Sequence, residues 1–432
     1  MNNSGIKFRL IVMNFLQFAI WGAYLTCMGT YLFIHGMAGK IGIFYSIQGI
    51  VSIFMPALMG IIADTKLPAQ KTLGLCHAIS GIAMLCAGMY GIMAGDAVEF
   101  GTLFSIYSVA VAFYMPTLAL SNSVAYNALE KAHLDTVKDF PPIRIFGTIG
   151  FICTMWIVDL LGFQPTAAQF VVSGGIGIVL AIYSFTLPHC PTKKELKKLG
   201  EITTNNETLL DKLGFSAFKL FKQKKMALFF IFSMLLGVSL QITNGFANPF
   251  LKSFEGISEY ADTFGVQHAN ILISLSQISE TLCILLIPFF LKRFGIKKVM
   301  LIAMFAWVLR FGLFGLGNPG SGVWMFILSC IVYGVAFDFF NISGSLFVDK
   351  ETDTSIRSSA QGLFFLMTNG IGATIGTLAA QAVVNHFVYS QEGAIEIWNG
   401  WQTSWYIFAG YALIVAIMFA IFFKYKHETE TK

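Results

Sequence analysis

The sequence predicts an all-α integral membrane protein of twelve transmembrane helices in two sets of six, with both termini cytoplasmic. Three observations predict it. Of 432 residues, 56% are hydrophobic and 12% charged, with a mean hydropathy of +0.70, too little polar surface to coat a water-soluble globule. Twelve apolar runs are each long enough for a hydrocarbon core roughly 30 Å thick. A single long polar stretch, 190–226, divides them evenly.

The first run, 9–33, follows Lys7 and Arg9 as a signal peptide would. It is too long for one, contains Asn14 and Gln17, and leads directly into further spans, so it reads as a retained helix. Runs 41–62, 72–94, 102–128, 143–163 and 168–187 complete the first set. The polar stretch then carries Lys193, Lys194, Lys197, Lys198, Lys212, Lys219, Lys222, Lys224 and Lys225. Runs 227–251, 268–291, 297–317, 322–348, 358–385 and 401–423 form the second set. The domains expected are therefore 1–189, a six-helix bundle; 190–226, a cytoplasmic linker; and 227–432, a second bundle with a short tail. All Lys and Arg except Lys40, Lys252, Arg144 and Arg310 fall in the tails, the linker or the loops on its side. By the positive-inside rule that side is the cytoplasm, and the net charge of +5 marks topology rather than affinity for nucleic acid.

Several function classes are excluded on composition and motifs. The seven cysteines lie almost wholly in spans without metal-ligand spacing, and the seven histidines are scattered, so no metal or cofactor is expected. No nucleophile–base pair or phosphate loop supports an enzyme. What stands out instead is polar chemistry inside apolar runs. A charge at mid-bilayer costs roughly 2.5–3.5 kcal/mol on insertion scales, so several such residues mark a polar path through the membrane. Two sets of six spans about a midplane polar path is the plan of a transporter built from repeats.

On span 5, Arg144, Thr148 and Phe151 are spaced i, i+4, i+7 and share a helix face. Arg144 follows Pro141 and Pro142 near the cytoplasmic end, so a snorkelling or lipid-phosphate role competes with substrate binding. Span 7 presents the amides of Gln241 and Asn244, and span 8 Gln277 and Glu280, each pair at i, i+3. Span 10 places Tyr333 and Phe337 one turn apart beside Asp338, rings next to a carboxylate, which suits a planar heterocycle with a polar edge. Phe339 and Phe340 read as packing or lipid-facing. Asn14, Gln17 and Trp21 (i, i+3, i+7) read as a cavity-lining face of span 1. Arg310, on the peripheral span 9, is expected in a structural ion pair or snorkelling. Gly147 and Gly150 on span 5, and Gly362, Gly370, Gly372 and Gly376 on span 11, read as sites of close helix packing.

The halves also echo each other. Gly60-Ile-Ile-Ala-Asp64-Thr-Lys66 follows span 2 and Lys292-Arg293-Phe-Gly295-Ile-Lys297-Lys298 follows span 8; each resembles part of the loop signature of the major facilitator superfamily. The strings Asp139-Phe-Pro-Pro-Ile-Arg144-Ile-Phe-Gly-Thr148-Ile-Gly-Phe151, Gln241-Ile-Thr-Asn244, Ser276-Gln277-Ile-Ser-Glu280 and Tyr333-Gly-Val-Ala-Phe337-Asp338 resemble the bacterial nucleoside permeases of the nucleoside:proton symporter family. The similarity runs from span 1 to the Phe423-Lys-Tyr-Lys-His427 tail, with Phe146 standing where a Trp is expected. It implies the major facilitator fold, a substrate cavity between the bundles, and import of purine and pyrimidine nucleosides such as uridine and adenosine with protons, by alternating access across a bacterial inner membrane, by a monomer.

The resemblance further implies that Arg144, Thr148, Phe151, Gln241, Asn244, Gln277, Glu280, Tyr333 and Phe337 bind substrate, and that Asp338 or Glu280 couples the proton. Members selective for one nucleoside exist, so breadth of specificity stays open. The alternatives are a sugar or oligosaccharide:proton symporter of the same superfamily and a transport-like nutrient sensor.

Overall fold

Helix follows helix along the whole computed structural model, which describes residues 3–192, 195, 215–352 and 357–425; among these every regular element is helical. Lys193, Lys194, Lys197, Lys198 and Lys212 of the central stretch, and His427 of the tail, lie outside the described residues. The helices are α1 Asn3–Gly22, α2 Met28–Ile34, α3 Ile41–Ser52, α4 Met55–Thr65, α5 Ala69–Ala94, α6 Phe100–Lys131, α7 Thr136–Leu160 and α8 Ala168–Ser184. After the central stretch come α9 Lys224–Leu240, α10 Ile242–Ser253, α11 Phe264–Gln267, α12 Ala269–Leu316, α13 Val323–Glu351, α14 Arg357–Phe365, α15 Ala373–Phe387 and α16 Ala394–Phe422.

Among the described residues, eight helices are long and apolar enough to cross a membrane, or nine if the pair Ala38–Ser52 and Met55–Ala63, bent by 40°, is one span. That is a coarser result than twelve crossings, and the reason is visible in the backbone. The 48-residue α12 contains Gly295 at φ +76°, a left-handed conformation that glycine adopts without a Cβ clash, so it comprises two helices meeting at the expected loop between spans 8 and 9. Span 1 is interrupted between Gly22 and Met28 by turns such as Leu25 N–H to Trp21 C=O (2.9 Å). The helix Ala168–Ser184 is apolar but shorter than the others, whereas span 7, interrupted at Gln241, and span 11, with a wide π turn at Leu366–Gly372, are among the eight.

The chain forms two compact units, Met1–Tyr31 with Ile50–Leu213, and Leu32–Gly49 with Gly214–Lys432. In the first, α1 and α7 approach until a Cβ on Gly22 would overlap the Phe151 carbonyl and one on Gly150 the Phe15 carbonyl. The salt bridge from Lys7 to Asp139 (2.6 Å) ties their N-terminal ends. In the second unit, Gly334 of α13 lies against the Ser279 backbone of α12, and the Ser279 hydroxyl donates to the Ile331 carbonyl. Phe250, Phe314, Phe326, Trp401 and Trp405 form its aromatic core, with Phe314 and Trp405 stacked at 4.9 Å. The expected close-packing role holds for Gly147, Gly150, Gly372 and Gly376, whereas Gly362 faces open space.

Candidate substrate and proton site

The close approach of α1 and α7 positions the first unit's candidate residues. Arg144 and Thr148 are half-buried and Phe151 is buried. The Arg144 guanidinium carbon lies 3.8 Å from the centroid of Phe18, a cation–π distance. Gly147 makes room for the pair, since a Cβ there would meet both Phe18 and the Arg144 Nη1. The cation is thus held against a ring, which the pattern of α7 alone did not reveal.

The expectation for span 1 is corrected. Asn14 and Gln17 are fully buried and face the interior of the first unit rather than a cavity. Gln17 Nε2 donates to Thr117 Oγ1 (2.7 Å), its Oε1 lies 2.7 Å from His77 Nε2, and the Tyr114 hydroxyl donates to its backbone carbonyl (2.8 Å). Asn14 Nδ2 donates to the Leu10 carbonyl (3.0 Å). Polar groups buried among helices need such partners, and periodicity does not say which face of span 1 looks inward. Trp21 alone of the three is half-buried, its ring 5.6 Å from that of Tyr114.

The second unit carries more of the candidate residues. Gln241 occupies the break between α9 and α10, and its Oε1 accepts from Asn244 Nδ2 (2.8 Å). The bonded pair keeps the Gln241 amino group and the Asn244 carbonyl available as donor and acceptor. On α12, Gln277 is nine-tenths buried with its Oε1 unsatisfied, and Glu280 is half-buried. On α13, Asp338 is buried, Phe337 is half-buried, and Tyr333 stacks on Phe337 at 5.5 Å and 15°. Tyr333 lies within electrostatic reach of both Glu280 and Asp338, so the Ser279–Gly334 contact brings the two carboxylates and the stacked rings into one neighbourhood. Phe339 and Phe340 pack internally, on Phe290 (5.0 Å) and Phe364 (6.2 Å).

Arg310 departs from expectation. It is only 2% exposed and does not snorkel, and among the described residues no carboxylate lies within salt-bridge distance of it. Its Nη1 donates to the Ser329 carbonyl (2.8 Å) and the Ser276 hydroxyl (3.4 Å), and its guanidinium carbon is 4.5 Å from the Tyr333 centroid.

Interrupted apolar helices, buried amides and carboxylates, and rings presented beside them define the class of a membrane transporter. The profile of the Nucleoside H+ symporter family matches residues 4–428, and the chain belongs to that family, within the major facilitator superfamily. It is 47% identical to nucleoside permease NupG of Escherichia coli (strain K12) over 98% of this chain and 97% of that protein. It is also 47% identical to the xanthosine permease of the same organism, over the same shares of the two chains. Crystal structures of nucleoside transporter NupG superpose with TM-scores of 0.89 for a mutant, covering 97% of this chain and 100% of that one, and 0.85 for a second structure, covering 99% and 100%, both at 46% identity. A D-xylose-proton symporter at 14% identity and TM-score 0.70, covering 99% of each chain, shares the fold alone.

Proposed function

We infer that this chain is a proton-coupled nucleoside transporter that imports purine and pyrimidine nucleosides. The observation that carries the reading is full-length similarity to nucleoside and xanthosine permeases in a chain whose second unit sets the stacked Tyr333–Phe337 pair beside amides and carboxylates. The rings proposed to bind the base are Phe151 in the first unit and the stacked Tyr333 and Phe337 in the second, where stacking contributes roughly 1–3 kcal/mol by analogy with other base–aromatic contacts. The ribose hydroxyls bond to Gln241, Asn244, Gln277 and Glu280 of the second unit; Arg144 and Thr148 are the polar substrate-binding residues proposed in the first. Asp338, or Glu280 in its place, takes up the proton, because a carboxyl buried in a membrane span is far cheaper neutral than charged.

In this reading the protein works as a monomer by alternating access in the bacterial inner membrane. It has twelve crossings, bundles at 1–189 and 227–432, a cytoplasmic linker between them, and cytoplasmic termini. Competition tests the substrate class. Uptake of labelled adenosine by nucleoside-transport-deficient cells expressing the chain is blocked by excess uridine and untouched by ribose or xylose. Block by the free sugars with none by uridine would replace the nucleoside reading with the sugar symporter.

A further inference from the structure

We propose that Arg310 is a positioning residue for substrate binding, acting through Tyr333: its guanidinium clamps the Tyr333 ring, which with Phe337 forms the platform for the base. The inference takes its ligand, a nucleoside, from the function proposed above. The geometry is a layered one. The guanidinium lies over the Tyr333 ring at 4.5 Å, Phe337 stacks nearly parallel on that ring at 5.5 Å, and Trp307 meets it edge-on at 5.9 Å and 90°. Three neighbours thus fix a ring that stands one turn from Phe337.

The arginine is itself fixed. Nη1 is held by the Ser329 carbonyl and the Ser276 hydroxyl, the Ser329 hydroxyl donates back to the Arg310 carbonyl (2.8 Å), and Phe314 lies 5.5 Å from the guanidinium carbon. Those partners come from α12 and α13, the helices that carry Gln277, Glu280, Phe337 and Asp338. A leucine or methionine would fill this volume without burying a charge. A cation with no carboxylate in contact among the described residues, inside a membrane span, is costly enough to require a use. Its direct contacts are backbone, hydroxyl, the Cys330 thiol and rings, and the ring it covers most closely is the one in the binding platform. Tyr333 also lies within electrostatic reach of Glu280 and Asp338 as well as Arg310.

A double-mutant cycle tests the clamp. Purified protein in nanodiscs is titrated with uridine for the parent, Arg310→Gln, Arg310→Lys, Tyr333→Leu and the double variant Arg310→Gln/Tyr333→Leu, with a melting curve for each. A desolvated cation–π contact predicts about a tenfold rise in Kd for Arg310→Gln. Arg310→Lys gives a smaller rise, because an ammonium keeps the charge but lacks the planar fork. The double variant binds no more weakly than Tyr333→Leu alone. Parent-like affinity in Arg310→Gln, or losses that multiply in the double variant, would overturn the proposal. If Arg310→Gln does not fold, Arg310→Lys with Tyr333→Leu runs the same cycle. If the parent binds neither uridine nor adenosine, the nucleoside reading fails by itself, and the cycle is read in melting temperature, where additive losses overturn the clamp.

Discussion

Replacing Phe18 with leucine perturbs Arg144, the cation proposed to bind substrate, without altering it. The Phe18 ring lies beneath the Arg144 guanidinium at 3.8 Å, in a gap kept open by Gly147. Leucine preserves most of the volume and removes the ring's negative face. Cation–π contacts contribute from about 0.5–1 kcal/mol when exposed to about 2 kcal/mol when desolvated. Arg144 is half-buried, so a loss of about 1–1.5 kcal/mol is expected, or about a five- to tenfold weaker Kd. Calorimetric titration of uridine into purified protein reads it, with Phe18→Tyr as the variant that retains the ring face and stays within about twofold of the parent. If Phe18→Leu binds as tightly as the parent while Arg144→Lys binds far more weakly, the seating of Arg144 on Phe18 has no bearing on recognition.

Asp338→Asn mimics the protonated carboxyl and is expected to keep counterflow of labelled uridine while losing accumulation. One proton moving down about 150 mV supplies roughly 3.5 kcal/mol, several-hundredfold accumulation, and the variant falls to simple equilibration; accumulation that survives would move the coupling role to Glu280. Gly22→Val forces α1 away from the Phe151 carbonyl and lowers stability by about 1–3 kcal/mol, read as earlier melting in detergent; an unshifted curve would contradict the close approach. Cys190 is buried outside the spans, its backbone N–H donating to Gln70 Oε1 (2.9 Å), and burial pushes its thiol up to about 11. At pH 7.5 about one such thiol in three thousand is thiolate, so a maleimide labels Cys190 only after unfolding, and rapid labelling of the native protein would show the segment is not docked.

The sequence carried the site's composition better than its orientation. Arg144, Gln241, Gln277, Glu280 and Asp338 announced themselves because polar residues are expensive inside apolar runs, and Gly295 fell where a short loop needed a positive φ. Helical spacing tells which residues share a face, but not which face turns inward. Gln17 therefore read as a cavity residue when its partners were His77 and Thr117, from spans 60 and 100 residues away, and Asn14 when its amide donates to the Leu10 carbonyl of its own helix. Arg310 was expected to snorkel or pair, and its contacts are instead a carbonyl, a hydroxyl, the Cys330 thiol and two rings. Phe18 had no signal at all, since its meaning lies in Arg144, which only tertiary packing brings to it.

The most direct test of the account is uptake of labelled uridine and adenosine by proteoliposomes under an imposed inward proton gradient with an inside-negative potential. The account predicts accumulation above the external concentration, collapsing to equilibrium when a protonophore is added. Uptake that only equilibrates, at a rate the protonophore does not change, would contradict proton coupling, and no nucleoside uptake by correctly inserted protein would contradict the substrate.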